Sequence, residues 1–302
     1  MHKASSTSAT SVEALYEQVR NAVGTSESAY EPHLSEIATG IRVLALRTPT
    51  LPPAAHTNTY LVGPAGGKQI VVDPGSPYPD QQAALDRVLS ETPPELVLLT
   101  HHHGDHVGGA QALADRWDVP IAAHANTKRR LAGRVNVERE LVDGERIAGD
   151  GGEIECVFTP GHADGHLCFA LRDFTIAGDM VAGIGTILID PSEGDMALYL
   201  DSLRTLLARP KAALLPAHGP VISDGAAKLR EYIAHRTMRE DRVVAALAGQ
   251  ADASAAELVA IAYADTPSVL WGLAERSLLA HIDKLVRDGR AREVSPGRWS
   301  SR

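Results

Sequence analysis

Four times along this chain a short apolar run stops at a histidine or an aspartate beside glycine or proline. "ELVLLT" runs into His101–His106, "EIECVF" into "TPGHADGH", "FTIAG" into Asp179, and "ALLPA" into His218. Apolar runs of this length, bounded by turn residues, read as buried strands. Chemistry placed at strand ends is the habit of layered α/β folds, where functional groups collect at one edge of a sheet. The repeated pattern therefore points to an α/β protein with one site built from several strand ends.

The first cluster, "HHHGDH", is the densest. Side chains alternate along an extended chain, so His101 and His103 point one way and His102 the other. Gly104 lets the chain turn, and Asp105 and His106 swing in from the loop. Imidazoles packed beside a carboxylate gain little without a cation, whereas zinc or iron takes both groups readily. Further ligands come from the other strand ends: His162 or His166, between which spacing alone does not choose, then Asp179 and His218. "GTS", "PGS" and "PSEG" lack the nucleophile-elbow spacing of a serine hydrolase. "GPAGGK" lacks the spacing of a phosphate loop and reads as a hairpin turn.

His101-x-His103-x-Asp105-His106, followed by His162, Asp179 and His218, resembles the metallo-β-lactamase superfamily, and most closely its glyoxalase II-like members. "HTNTYLVG", "IVVDPGSP" and the Asp143-Gly144 turn extend the resemblance over residues 36–225. The resemblance implies an αββα sandwich with the site at one edge of its two sheets. It assigns His101, His103 and His162 to one metal and Asp105, His106 and His218 to a second, with Asp179 bridging them. It makes His166 a neighbour of the site, and Asp73 is read as a carboxylate that orients a ligand histidine.

Two divalent ions, zinc first with iron or manganese as alternatives, would hold a hydroxide between them, and Asp105 would orient the attacking water. The expected activity is hydrolysis of a thioester, ester or lactone. The alternative is a metal-dependent endoribonuclease on single-stranded RNA, because this chemistry does not separate carbonyl from phosphoryl attack. True β-lactamases of the family usually lack an aspartate at the place of Asp179, which points away from β-lactams. Asn58, Tyr60, Tyr78 and Tyr199 stand near strand ends as pocket residues, and His235 is placed to reach the site. Arg236 beside it reads as part of a solvated helix face.

Residues 1–30 read as an N-terminal extension. Within it Ser11 caps a helix whose Val12, Leu15, Val19 and Val23 form an apolar stripe for the body or a partner subunit. Residues 31–236 form the catalytic domain. Residues 237–302 turn to charged helices and a final hairpin, an arrangement resembling a winged helix, as also found in the beta-lactamase-like-2 group, some of whose members cleave RNA. Its Lys284, Arg287, Arg290, Arg292, Arg298 and Arg302 are interleaved with Asp283, Asp288 and Glu293, and the chain carries a net charge of −9. That is not the basic face of a nucleic-acid binder. The domain is read first as a pocket lid and dimerisation element, giving a homodimer. No apolar run has membrane length and "MHKASSTSAT" shows no secretory core, so a cytoplasmic protein with free Cys156 and Cys168 is expected.

Overall fold

The computed structural model describes residues 12–23, 30–209 and 213–302. After a first helix, α1 (Val12–Val23), strands β1 (Leu34–Ala38), β2 (Ile41–Arg47), β3 (His56–Val62), β4 (Gln69–Val72), β5 (Pro94–Leu98), β6 (Ile121–His124) and β7 (Arg139–Leu141) form one sheet in chain order. A second sheet takes β8 (Arg146–Gly149), β9 (Gly152–Phe158), β10 (Leu167–Leu171), β11 (Phe174–Gly178) and β12 (Ala213–Pro216), again in sequential order. β1 to β4 and β8 to β11 pair antiparallel through short turns. The parallel pairs need crossovers, and each crossover carries helix. α2 (Pro79–Glu91) joins β4 to β5, and α3 (Gly104–Val107) with α4 (Ala110–Trp117) joins β5 to β6. α5 (Ala125–Leu131) leads to β7, and α6 (Met196–Leu207) lies between β11 and β12.

The two sheets face each other across a shared core, and helices cover both outer faces. Alternation decides which side chain goes where. In β4, Ile70 and Val72 face the second sheet while Val71 faces the helical layer of α2 and α4. In β10, Leu167, Phe169 and Leu171 face the first sheet, and Cys168 and Ala170 face α6. Because both faces of these strands are covered, they read as unbroken apolar runs. Each such Val, Leu or Ile contributes about 1.5–3 kcal/mol by leaving water. Cys156 and Cys168 are buried and free, one in the core between the sheets and the other under α6.

The C-terminal part has its own core. α7 (Gly225–Ala248) buries Leu229 and Tyr232 beside the second sheet, then Val243, Ala246 and Leu247 in the C-terminal cluster. The domain boundary expected at 236/237 thus lies inside one continuous helix, where its buried face passes between cores. β13 (Ala253–Ser254) precedes α8 (Ala255–Ala262), which opens with a Ser254/Glu257 capping box. α9 (Trp271–Arg287) leads to a wing of β14 (Ala291–Ser295) and β15 (Arg298–Ser301), ordered β13-β15-β14. Helices followed by this small sheet make a winged helix.

α1 packs on α9 and on the 3-10 turn Ser268–Leu270, and Arg20 donates to the Pro49 carbonyl at 2.7 Å. Leu15 reaches Gly272 and Val19 is buried, so this part of the stripe is covered within the chain. Ser11 and the side chains of Val12 and Val23 lie outside the described residues.

Candidate metal centre

Five of the ligand-type side chains stand just beyond the C-terminal end of a strand, His101 and His103 after β5, His162 after β9, Asp179 after β11 and His218 after β12, while Asp105 and His106 lie in α3. Three ring nitrogens meet at one point. His101 Nε2 lies 2.8 Å from His103 Nδ1, and His162 Nε2 lies 3.2 and 3.0 Å from them. Their opposite nitrogens are all engaged. His101 Nδ1 meets Thr100 Oγ1 at 3.0 Å, His103 Nε2 donates to Glu193 Oε1 at 2.7 Å, and His162 Nδ1 donates to the Leu188 carbonyl at 2.8 Å. A ring that donates outward turns a lone pair inward, which is the arrangement a cation requires. Burial also holds the His101 and His162 imidazoles below their usual range, His162 at about 4, in the neutral form a metal takes.

The second group adjoins the first. His218 Nε2 stands 3.5 Å from Asp105 Oδ2 and 3.4 Å from Asp179 Oδ1, and His106 Nε2 lies 3.6 Å from that same Oδ1. Asp179 Oδ2 meets His162 Nε2 at 3.5 Å, so its two oxygens face the two groups. His106 Nε2 and Asp179 Oδ1 are buried with no hydrogen-bond partner, and a cation between them would satisfy both. Burial opposes charge here too, but Asp179 and Asp105 outweigh it and raise His106 and His218 above the ordinary histidine range. The residues present fit divalent metal ions. Asp73 joins the strand ends beneath them. It accepts from Thr100 N at 2.8 Å, Thr100 Oγ1 at 2.6 Å and His106 Nδ1 at 2.8 Å.

The family model of the metallo-beta-lactamase superfamily matches residues 52–218, and that of the beta-lactamase associated winged helix domain matches residues 254–299. The chain belongs to the metallo-beta-lactamase superfamily. It is 32% identical to the beta-lactamase-like protein 2 homolog of Caenorhabditis elegans, over 77% of this chain and 79% of that one. It is 29% identical to the homolog of Drosophila melanogaster, over 83% and 89%. A beta-lactamase domain protein from Burkholderia ambifaria has the same fold, with a TM-score of 0.79 at 22% identity over 91% of this chain and 96% of that one.

On this metallo-beta-lactamase scaffold several side chains stand where sequence reasoning did not put them. His102 is turned from the other rings but is not in solvent. It is buried, and its Nε2 lies 2.8 Å from Glu193 Oε2, so Glu193 holds His102 and His103 together. Glu193 was not foreseen: the run "TILID" before its loop forms no strand, and its pairing with His102 and His103 joins segments some ninety residues apart. Gly104 opens α3 with open space at its Cβ position. The close backbone approach is at Gly75, where a Cβ would fall 1.9 Å from the Asp105 carbonyl oxygen. Gly178, at φ +50, likewise leaves room for His166, whose Nε2 accepts from Asp179 N at 3.1 Å while Nδ1 meets Thr159 Oγ1 at 2.9 Å. His166 thereby positions the aspartate and does not join the inward-facing ring nitrogens.

The superfamily site opens into a cavity of about 370 Å³. His103, Asp105, His162, Asp179 and His218 form one wall, and His235 lies along another. Asn58 and Tyr60 do not line it. Asn58 Nδ2 donates to the Pro216 and Gly219 carbonyls at 2.9 Å each, and the Tyr60 hydroxyl donates to the Pro216 carbonyl at 2.7 Å. Asn58 thus fastens the chain on either side of His218, and Tyr60 on its Pro216 side. Tyr78 lies under the Arg47 guanidinium, and Tyr199 is buried with its hydroxyl on the Met180 carbonyl. Arg236, expected in solvent, is 3% exposed and faces the cavity. Tyr16 of α1 lines it as well.

Proposed function

We propose that this protein is a two-metal hydrolase of small acyl compounds: a thioester, an ester or a lactone. The cavity carries the reading. Its volume falls in the range of small-molecule sites, and α1, α7 and α9 close over it with Leu51, Pro53, Ile187 and Leu273 among its walls. The two groups of histidines and aspartates would hold two divalent ions, zinc first with iron or manganese as alternatives, which when bound would supply a nucleophile at neutral pH and polarise the acyl oxygen. Around them the chain's residues orient and exclude. Asp105 accepts the proton of the attacking water, Asp179 spans the two groups of histidines, and the apolar walls keep bulk water out.

The nuclease alternative needs a free basic face. The cations of the wing region are largely paired inside the chain: Lys284 and Arg290 with Glu240, Arg287 with Asp195, Arg298 with Asp252 and Glu257. The N-terminal half of α9 lies against the cavity. A single preparation tests the two readings on a thioester and lactone panel and on labelled single-stranded RNA, at low and high salt, beside a metal-stripped control. Elemental analysis is expected to approach two metals per chain. Acyl turnover should be indifferent to salt and fall by about 10²–10⁴ in Asp105→Asn. Metal-dependent RNA cleavage, lost in that variant and unmatched by acyl turnover, would overturn the proposal.

A further inference from the structure

The cavity has a second polar wall, formed by His235, Arg236 and Arg239 of α7 with Tyr263 just after α8. Arg239 is neutralised, with Nη1 and Nη2 2.7 and 3.2 Å from the Asp265 carboxylate oxygens. Burial, and then the neighbouring Arg236 and Arg239, hold the His235 imidazole below its ordinary range. Arg236 is different. Its Nη2 donates to the Ile187 carbonyl and its guanidinium lies 5.4 Å from the Tyr199 ring. Its Nε is buried without an acceptor, and among the described residues no carboxylate pairs with it. On the same cavity wall the Tyr263 ring lies 4.7 Å from the Arg239 guanidinium, and the Tyr263 hydroxyl, on a side chain 6% exposed, also has no partner.

A buried guanidinium without a counter-charge and a buried hydroxyl without a partner are both unfavourable, and two of them on one cavity wall call for a common remedy. A carboxylate provides it. It takes the guanidinium N–H and the phenolic O–H together and neutralises the one cation on that wall that has no carboxylate.

We propose that Arg236 and Tyr263 form a carboxylate-binding subsite. The substrate is then an acyl compound with a second carboxylate at its far end, its acyl group lying against the metal-ligand wall. The identity of the reacting group rests on the acyl-hydrolase reading above; the subsite rests on the cavity alone.

Titration calorimetry of the metal-loaded protein tests it, using dicarboxylates from succinate to suberate and monocarboxylates of equal length. Both series share one carboxylate for the metal end, so their difference reads the second. At one chain length the dicarboxylate is expected to bind about tenfold more tightly than its monocarboxylate. Tyr263→Phe should reduce that advantage several-fold and Arg236→Gln should remove it, with metal content unchanged. Should Arg236→Gln fail to fold, Tyr263→Phe decides. Equal binding of the two series at every length, or an advantage that survives both substitutions, overturns the subsite. No turnover is needed. A dicarboxylate advantage without acyl hydrolysis therefore overturns the function and leaves the subsite, and acyl hydrolysis without the advantage does the reverse.

Discussion

Glu193 grips two imidazoles with its two oxygens, and only one of those rings faces the ligand cluster. Its carboxyl is held well below the usual carboxylate range: burial opposes this, but the hydrogen bonds from His102 and His103 prevail. By accepting from His103 Nε2 it keeps the proton off Nδ1, the atom that meets His101 and His162. Partners of this kind commonly change metal affinity by about 10–100-fold. Glu193→Ala is expected to lose metal to a competing chelator at least about tenfold more readily than the parent. His102→Ala removes only the outer contact and should lose far less. Chelator titrations that rank the two variants equally would remove Glu193 from this role.

At the scale of elements, α9 ties the winged helix to the catalytic domain. Arg276 Nε lies 2.7 Å from buried Asp190, and Arg287 meets Asp195, so α9 holds both ends of the loop that carries Glu193. The same helix buries His281 completely, with neither ring nitrogen hydrogen-bonded and Glu240 3.9 Å away. Burial, then the cations Arg236, Lys284 and Arg239 and the neighbouring His235, push its pKa down to about 3. The unfolded chain then binds more protons than the folded one between that value and the ordinary histidine value. This contribution to stability is whole above the unfolded pKa and shrinks as pH falls through the window. Urea unfolding at pH 7 and pH 5 should show the parent losing about 2 kcal/mol more than His281→Met across that interval. Parallel losses in the two proteins would show that His281 is not buried neutral.

For the whole molecule, the apolar surface left over decides association. The α1 stripe, where its side chains are described, is covered inside the chain. Of the large apolar side chains that remain exposed among the described residues, Val142, Ile184, Leu198 and Val221 belong to the catalytic domain and Ile261, Val269, Val286 and Val294 to the C-terminal domain. We propose a homodimer through that domain, in a reducing compartment that suits two buried free thiols. Light scattering at micromolar concentration should give twice the chain mass, and Val286→Glu should return it to the chain mass. A parent protein at 32.1 kDa refutes the dimer. Among the described residues no helix is long and apolar enough to cross a membrane.

The sequence alone determined the strands, their ends and the ligand types standing there. These are local facts: an apolar run covered on both faces, a turn residue, a histidine two or three positions on. The two-sheet fold and the winged helix were legible for the same reason, with the family resemblance supplying the layer order and the choice of His162 over His166. What the tertiary structure decided were the contacts between distant segments. Glu193 reaches His103 across 90 residues, and Asn58 reaches Pro216 across 158. No periodicity records such pairings. Arg236 lies on a charged helix and reads as solvated, because a helical pattern gives the face of a residue and not what will cover that face. Only the packing of α7 against the segment at Ile187 buries its charge, and only the folded chain shows that, among the described residues, no carboxylate pairs with it.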